Sequence, residues 1–303
     1  MKLSLSTRWN AGRHTSGEKM IEEILTMGFR RVELGYDLRR DLIEGVHAAC
    51  RSGAVKVTSV HNFCPVPTAA PSGHPELFTL AHRDQRVRDQ AVRHTINTIR
   101  FAAEVGARVV VMHSGNVSMS RITPKLFILA QHGKQETRQY ERLLMKLLSK
   151  REKKAPPQLE HLYRGLEKLL PVLEETNIQL GIENLPTWEA IPTETEMESI
   201  IQHFDSPHIG YWHDMGHGQV RENVGLTNHL NWLERLSPHL VGMHVHDVVP
   251  PAGDHVMPPK GEIDFKLFRS YTRKNIPLVM EPSPHISKED VKHGFDLLNK
   301  IWA

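Results

Sequence analysis

The stretch GYWHDMGHG, residues 210–218, places three side chains that can bind a metal directly after a run typical of a buried strand. These side chains are His213, Asp214 and His217. A polar turn after a strand would give the same composition, so the cluster alone does not establish a metal site. The two interpretations differ in whether other strands deliver similar residues to the same place.

Strand parity addresses that question, because side chains two residues apart along a strand point to the same side. Seven predicted strands end their inward row with an ionisable side chain, at or near the C-terminal end of the strand. These side chains are Glu33, His61, His113, Glu183, Asp214, His244, His246 and Glu281. His213 has the opposite parity to Asp214, and we expect it to point outward.

A group of facing carboxylates predicts a bound cation. Desolvating a charge is costly, and Glu183, Asp214 and Glu281 would repel one another, so their pKa values must rise or positive charge must lie among them. Mixed histidine and carboxylate ligands suit zinc, manganese, iron or cobalt, whereas calcium prefers oxygen alone. Asp214 is then the ligand that its strand delivers, and His217 lies where the chain turns into a helix.

Two loops add polar residues near this predicted site. Segment 247–265 is rich in Pro and Gly, which predicts an irregular loop, and it carries Asp254, His255 and Glu262. We expect His255 to reach the site from above; an exposed loop histidine is the alternative. We expect three residues of the sequence ENLPTW to shape the wall beside the fifth strand, with purely structural roles as an equal alternative: Asn184, Pro186 and Trp188.

The elements that must position these residues alternate along the chain. Eight short β-rich apolar runs predict strands at residues 2–8, 31–36, 55–62, 108–114, 179–185, 209–214, 240–246 and 277–282. Several are nearly continuous apolar runs, as in parallel strands that are buried on both faces. Helical patterns separate the strands, and eight such units predict an α/β fold that closes as a (β/α)8 TIM barrel.

Three of the helical patterns carry recognisable ends. In residues 14–25, Thr15 and Glu18 have the spacing of a capping box. Residues 91–106 present an apolar stripe, and Gly106 predicts the C-terminal end of that helix. Ser287 is a candidate N-cap for the last helix, which carries Val291, Leu298 and Trp302 inward.

Two connections are longer than a barrel requires. Residues 62–82 follow the third strand, and residues 115–158 follow the fourth strand and include helix-forming sequence. We expect a single barrel domain over residues 1–303, with the 115–158 insertion over its C-terminal face, where the catalytic sites of such barrels lie. A lid or a wall of the substrate site is one interpretation, and a dimerisation element is an equal alternative for the second segment.

Composition excludes some classes of protein. Hydrophobic residues make up 39% of the chain and charged residues 24%, with no run long enough to span a membrane. Two cysteines and a start without an apolar signal segment favour the cytoplasm. The net charge of +3 is small for a nucleic-acid binder, and the basic run at 146–154 is interpreted as a solvated helix end.

The motifs SVHNFCP, VVMHSG, GIENLP, WHDMGH, GMHVHD, GDHVMPPKGEIDF and VMEPSP resemble the xylose isomerase-like TIM barrel superfamily, which includes sugar phosphate isomerases and epimerases and is related to endonuclease IV. The resemblance runs from the second strand to the eighth and leaves the 115–158 insertion uncovered. In its tagatose epimerase-like members one divalent metal has four ligands, which would here be Glu183, Asp214, His244 and Glu281. His217 would then contact substrate, and His246 is an alternative to His244.

In endonuclease IV-like members three zinc ions are bound. The matching positions here are His61, His113, Glu183, Asp214, His217, His244, His255 and Glu281. The remaining family ligand is an Asp two residues before the loop histidine. Asp254 stands immediately before His255 instead, so the third metal position departs from the pattern.

The resemblance implies a divalent-metal-dependent isomerase or epimerase acting on a small sugar or sugar phosphate, with manganese or zinc as the metal and one to three ions per chain. Glu183 and Glu281 would transfer the proton, and the metal would stabilise the enediolate. We expect His217, His246 and Glu33 to contact the substrate.

Two other functions remain open at this point. The first is an endonuclease IV-like zinc phosphodiesterase acting at abasic sites, and DNA is a partner only under that alternative. The second is a non-catalytic binding protein that keeps a barrel. No membrane partner is expected, and whether the chain forms a homo-oligomer is left open.

Overall fold

The computed structural model describes residues 3–68, 70–272 and 275–303. Eight parallel strands form a closed barrel in the order β1-β10-β7-β6-β5-β4-β3-β2. These strands are β1 (Leu3–Ser6), β2 (Arg31–Leu34), β3 (Lys56–His61), β4 (Val109–Met112), β5 (Gln179–Glu183), β6 (Ile209–Asp214), β7 (Leu240–Val245) and β10 (Leu278–Met280). The predicted (β/α)8 TIM barrel is therefore confirmed, with all eight strands at the expected positions.

Most of the observed strands end before their predicted boundaries, and residue 2 of the first predicted strand lies outside the described residues. Three predicted inward residues consequently follow a strand instead of ending it: His113, His246 and Glu281. A short antiparallel hairpin, β8 (Asp247–Val249) and β9 (Gly253–Val256), occupies part of the segment that was predicted to be wholly irregular.

Helices surround the barrel or cap its ends. They are α1 (Gly17–Thr26), α2 (Ile43–Arg51), α3 (Gln85–Glu104), α4 (Thr123–Gln131), α5 (Arg138–Lys154), α6 (Pro156–Thr176), α7 (Glu194–Phe204), α8 (Met215–Asn223), α9 (His229–Leu236), α10 (Arg269–Thr272) and α11 (Lys288–Trp302). Within the described part of the chain, no helix is long and apolar enough to cross a membrane.

Two predicted helix starts were wrong and one was right. Ser16, not Thr15, caps α1 and accepts a hydrogen bond from the backbone of Lys19. Helix α3 begins six residues before its apolar stripe, because the side chain of Asp84 caps a polar first turn that carries no periodic signal. Ser287 caps α11 as expected, and the inward residues of that helix are buried.

The barrel interior is filled below its C-terminal rim. A separate cluster of buried side chains fills the interior of the barrel: Val109, Val111, Trp212, Val241 and Val279. Trp212 fits because its neighbour in β7 is Gly242, where a Cβ atom would lie 2.0 Å from the indole ring. A floor of apolar side chains therefore closes the barrel under the polar rim.

A register shift in β7 sets the height of its histidines. Tyr211 pairs with Leu240, but the next residue of β6, Trp212, pairs with Gly242. The extra residue in β7 is Val241, which joins the interior cluster although it has the opposite parity to His244. Beyond this bulge the alternation continues, and His244 also points into the barrel.

The 115–158 insertion contains helices α4 and α5, as predicted for the segment after the fourth strand. Gln135 donates a hydrogen bond to the carbonyl of Asn223, and the hydroxyl of Tyr140 donates to the carbonyl of Val224. Arg151 pairs with Glu196 and donates to two carbonyls of the β5–α7 loop. These contacts attach the insertion to the loops that follow β5 and β6.

Candidate metal and substrate site

The ionisable residues at the strand ends meet at one rim of the barrel. Strand parity selects eight of them, and His217 and His255 join them from the start of α8 and from β9. Six of the ten are histidines, here called the inner histidine cluster: His61, His113, His217, His244, His246 and His255. The rest are the carboxylates Glu33, Glu183, Asp214 and Glu281.

Three carboxylates converge on one nitrogen atom of His244. Its Nδ1 lies 3.2 Å from Glu183 Oε1, 3.6 Å from Asp214 Oδ2 and 3.5 Å from Glu281 Oε2. A single N–H group cannot donate well to three acceptors at once, so the arrangement is not that of an ordinary hydrogen bond. The three carboxylates instead approach the same imidazole nitrogen, and Glu183, Asp214 and His244 have ligand atoms within 4.8 Å of one another.

Glu183 also connects this point to a second group of ligand atoms. Its Oε2 lies 3.1 Å from His113 Nε2 and 3.4 Å from His61 Nε2. On the other side, His217 Nδ1 lies 3.4 Å from Glu183 Oε1. Glu183 thus stands between two sets of imidazoles, as expected of a carboxylate that bridges adjacent positive centres.

The charges in this cluster depend on one another. Burial raises the pKa of Glu183, but the neighbouring His244 and His113 lower it by more. The pKa of Glu183 is therefore well below its usual value. Burial likewise raises the pKa of Asp214, and His217 and His246 reverse that effect. Glu183 and Asp214 are therefore ionised at neutral pH, and they require positive charge nearby.

In the absence of a metal ion that positive charge is supplied by protons on imidazoles. Burial lowers the pKa of His217, yet Asp214 and Glu183 raise it to a net value of about 9. Burial also lowers the pKa of His244, but Glu281, Glu33 and Glu183 raise it well above its usual value. Protons on these imidazoles therefore supply the positive charge that a bound cation would otherwise supply.

The residues fit a divalent cation with nitrogen and oxygen ligands. Ligand atoms within 4.8 Å of one another occur in the groups Glu183–Asp214–His244, His61–His113–Glu183 and His217–His246–His255. The Nδ1 atoms of His61, His217 and His255 lie 3.1, 2.9 and 2.9 Å from backbone carbonyl oxygens. Donation from Nδ1 leaves the Nε2 lone pair of each ring free for a metal, which is the usual arrangement in metal sites.

The backbone around Asp214 is held by Asn184. The amide of Asn184 donates to the carbonyl of Asp214 over 3.0 Å and accepts its N–H over 2.7 Å. Asp214 in turn caps helix α8 by accepting the N–H of His217 over 2.6 Å. Asn184 therefore has a structural role, the alternative to a wall residue, because it fixes the backbone of the candidate ligand Asp214.

Glu33 and His246 are buried beside the candidate ligands. Glu33 is fully buried and lies 3.1 Å from His244 Nε2, and Ser59 donates to its other oxygen. His246 Nε2 lies 3.0 Å from an oxygen of Asp214, while its Nδ1 accepts the N–H of His255. Neither Glu33 nor His246 is among the described residues that line the open cavity, and their contact with substrate stays a prediction.

The loop after β7 brings two adjacent residues to the site. His255 has a positive φ of 54°, an uncommon backbone conformation for a residue other than Gly. Its Nδ1 lies 3.6 Å from Glu281 Oε2, and Asp254 Oδ2 lies 3.9 Å from His217 Nε2. The left-handed turn therefore allows Asp254 to approach the cluster although its spacing from His255 departs from the expected pattern.

A cavity of about 280 Å³ opens above the cluster. Six predicted site residues line it: His61, His113, Glu183, His217, His255 and Glu281. The 62–82 loop contributes His74 and Glu76, and the 115–158 insertion contributes Asn116 and Arg121. Arg8 and Tyr36 also line the cavity and were missed, although Ser4, Ser6 and Arg8 continue the two-residue alternation of β1.

A second pair of buried histidines, here called the outer histidine pair, consists of His213 and His229. Their Nε2 atoms lie 2.9 Å apart, and His213 Nδ1 lies 2.7 Å from the hydroxyl of Tyr211. That hydroxyl donates to Asn184. Burial lowers the pKa of His213 well below its usual value and that of His229 to about 4, so both rings are neutral.

Most of the chain matches a known protein family. The family described as "Xylose isomerase-like TIM barrel" matches residues 21–301. The chain belongs to this family. The resemblance predicted from the motifs is therefore confirmed, and the match extends across the 115–158 insertion.

Individual proteins and solved structures resemble the chain at low sequence identity. MJ1614, an uncharacterized protein of Methanocaldococcus jannaschii, is 23% identical over 280 residues, which cover 92% of this chain and 91% of the relative. The crystal structure of 3-keto-D-glucoside 4-epimerase, YcjR, from E. coli aligns with a TM-score of 0.68 and 16% identity over 99% of both chains.

A crystal structure of the IolI protein with a bound zinc atom aligns with a TM-score of 0.67 and 12% identity, over 99% of this chain and 96% of that chain. Other solved structures of similar fold include L-ribulose 3-epimerase and D-psicose 3-epimerase. At these identities the similarity establishes the fold.

Proposed function

We propose that the protein is a divalent-metal-dependent isomerase or epimerase of a small sugar or sugar derivative. The observation that carries this proposal is the convergence of Glu183, Asp214 and Glu281 on His244 Nδ1, at the base of an open cavity. A cavity of about 280 Å³ fits a small carbohydrate. Sugar epimerases are prominent among the structural neighbours, which supports the same class of reaction.

Glu183 and Glu281 are the proposed proton-transfer residues. Both line the cavity, and they come from β5 and from the loop after β10, which are separated in the barrel by β6 and β7. Inverting a stereocentre next to a carbonyl requires one group to remove the proton from one face and another to return a proton to the opposite face. Two carboxylates that reach the same cavity from different strands meet that requirement.

Supporting residues hold these carboxylates in position. His113 and His61 contact one oxygen of Glu183, and His244 contacts the other. A bound zinc or manganese ion would supply Lewis acidity to the carbonyl and hydroxyl oxygens of the sugar. Asp214 and His244 are the ligands proposed to hold that ion together with the two glutamates, and His217 faces the cavity as a substrate contact.

Hydrogen exchange tests this proposal with any ketose that the cavity accepts. The metal-loaded protein is incubated in D2O with a panel of ketoses, and NMR follows deuterium incorporation beside the carbonyl. We expect exchange that a chelator abolishes, and that Glu183→Gln and Glu281→Gln each reduce by about 1,000-fold. Wild-type exchange in either variant would contradict the assigned roles, provided that circular dichroism shows both variants to be folded.

A zinc-dependent phosphodiesterase acting at abasic sites is the second candidate. Two observations favour it: the ligand groups extend from His61 to His255, enough for more than one ion, and residues 115–158 carry ten Lys and Arg against three Glu. The small overall charge of +3 disfavours it. Chelator-sensitive nicking of abasic duplex DNA by the zinc-loaded protein, without ketose exchange, would replace the first proposal by this one.

A further inference from the structure

Two arginines line the cavity and have no role in the candidate metal centre. Arg8 follows β1, and Arg121 lies in the 115–158 insertion just before α4. Arg8 is partly buried, whereas Arg121 is exposed at the rim. Guanidinium groups bind anionic oxygens with paired N–H donors, which makes them informative about the charge of a ligand.

Arg8 lacks the carboxylate partner that a buried cation normally has. Its Nη1 atom is inaccessible to water and has no hydrogen-bond partner among the described residues. Within the same part of the chain it forms no ion pair with a carboxylate, and its guanidinium instead lies 5.7 Å from the centre of the Tyr36 ring. An unsatisfied charged donor of this kind is costly unless a ligand completes it.

The nearby acids do not complete Arg8. Burial lowers the pKa of Arg8, and Glu281, Tyr36 and Asp37 raise it by more; Tyr36 does so partly through a side-chain hydrogen bond, whereas the two carboxylates act without direct contact. Glu281 faces His244, at 3.5 Å from its Nδ1, and belongs to the candidate metal centre. The guanidinium therefore has N–H groups on the side of the cavity that can donate hydrogen bonds to a ligand.

The other two carboxylates that line the cavity, Glu76 and Glu183, already contact other side chains. Glu76, from the 62–82 loop, accepts the side-chain amide of Asn116 at 3.2 Å and lies 3.9 Å from His113. Glu183 is surrounded by imidazoles. Arg121 forms no ion pair with a described carboxylate either. The two arginines are therefore cationic groups of the cavity that the protein itself does not neutralise by contact.

We propose that the substrate carries an anionic group, a phosphate or a carboxylate, which Arg8 binds inside the cavity and Arg121 contacts from the rim. This inference rests on the proposed function, because it places the reacting carbonyl of the same molecule at Glu183 and Glu281. It narrows the substrate class from sugars in general to sugar phosphates or sugar acids. The insertion then contributes to specificity through Arg121.

Matched ligands separate this inference from a purely electrostatic role of Arg8. D-fructose, D-fructose 6-phosphate and D-fructuronate differ at one end of the molecule, and D-ribulose with its 5-phosphate forms a shorter pair. Deuterium exchange gives kcat/KM for each compound, and calorimetry gives its affinity for the metal-loaded protein. We expect one anionic form to exceed the neutral sugar in kcat/KM by about 100-fold.

Variants identify the arginine that is responsible. Arg8→Gln is expected to lower kcat/KM for the preferred anionic compound by about 100-fold and to change that for the neutral sugar by less than about 3-fold. Arg121→Gln is expected to give a loss of about 10-fold, because its side chain is exposed. Arg138→Gln, which removes an exposed arginine outside the cavity, should change neither value.

The outcomes distinguish the inference from the function on which it rests. Exchange of neutral and anionic sugars at equal rates, or an equal loss of both in Arg8→Gln, would overturn the anion site while leaving the isomerase proposal intact. Tight binding of an anionic compound that depends on Arg8, without any exchange, would support the site and contradict the reaction. Binding of phosphate that is unchanged in Arg8→Gln would show an anion held by the metal and would also overturn the site.

Discussion

The inner histidine cluster and the outer histidine pair lie on the two sides of the same barrel wall. His213 and Asp214 are adjacent in β6, yet His213 packs outside against His229 while Asp214 faces His217 and His246 inside. Both regions are buried, and burial alone disfavours a charged imidazole in each. His217 and His244 of the inner cluster nevertheless have raised pKa values, whereas the pKa values of both histidines of the outer pair are lowered.

The difference comes from the carboxylates. Glu183, Asp214 and Glu281 surround the inner cluster, and their negative charge outweighs the cost of burying a proton on His217 or His244. The outer pair contacts a tyrosine hydroxyl and another imidazole, and both rings remain neutral. Histidine content therefore does not identify a metal site; a surplus of buried negative charge around the histidines does.

The largest expected effect follows from removing one of these charges. Asp214→Asn keeps an acceptor for the N–H of His217, so the cap of α8 is preserved, but it removes a carboxylate that faces His244 and His246. We expect the affinity for zinc to fall by about 1,000-fold, measured by competition with a chromogenic chelator. His229→Gln, in the outer pair, is the matched control and should bind zinc with wild-type affinity.

The pH dependence of stability should differ between the two regions. In the chelator-treated protein the pKa of His217 is about 9, above the ~6.5 of an unfolded chain, so the folded state binds more protons between these values. The free energy of unfolding should therefore fall as pH rises from about 6.5 to 9, by up to about 3 kcal/mol. Urea unfolding at a series of pH values measures this slope, and His217→Gln should flatten it.

The outer pair should act at the opposite end of the pH range. The pKa of His229 is about 4, below that of an unfolded chain, so its contribution is present above pH ~6.5 and is lost as pH falls towards 4. The same urea series in His229→Gln should show a weaker acid limb and an unchanged alkaline limb. An alkaline limb that changes in this variant would mean that the two regions are not independent.

A smaller effect is expected from Glu33, which contacts the inner cluster from below. Its carboxylate accepts from His244 Nε2, so Glu33→Gln should weaken the orientation and basicity of the ring that faces the metal position. We expect zinc affinity to fall by about 10-fold, within the range of second-sphere changes at metal sites. Ser59→Ala, which removes only a hydrogen bond to Glu33, is the control and should have a smaller effect.

The smallest effect concerns the link between the two regions. The hydroxyl of Tyr211 joins His213 to Asn184, whose side chain holds the backbone of Asp214. Tyr211→Phe should cost about 1 kcal/mol of stability, measured by urea unfolding, and leave zinc affinity within about 3-fold. A large loss of zinc affinity would show that Asn184 depends on this tyrosine for its orientation.

The two-residue alternation of strands explains which residues of the candidate site could be predicted from the sequence. The two-residue alternation placed Glu183, Asp214 and His244 on the interior, and the structure brings them together at the rim. Alternation gives the face of a residue but not its height, which depends on barrel stagger and on bulges such as that at Val241. For this reason parity alone did not predict that Glu33 contacts His244 Nε2.

Residues outside the strands were harder to predict. Arg8 and Tyr36 reach the cavity from turns after β1 and β2. Arg8 shares the parity of Ser4 and Ser6, but strand parity does not fix the direction of a side chain beyond the last residue of the strand. The approach of Asp254 depends on the positive φ of His255, which the sequence does not reveal because the residue is not Gly. In α1, Ser16 replaced Thr15 as the cap because neighbouring residues offered equivalent hydroxyl groups.

The central claim is that a divalent cation and the protons of the inner histidine cluster compete for the same place. Calorimetric titration of the chelator-treated protein with zinc at pH 7, in buffers of different ionisation enthalpy, measures the number of protons released per ion. We predict at least one bound zinc per chain and the release of about one or more protons per ion, with the same result in His229→Gln. No zinc binding, or binding without proton release, would contradict the account.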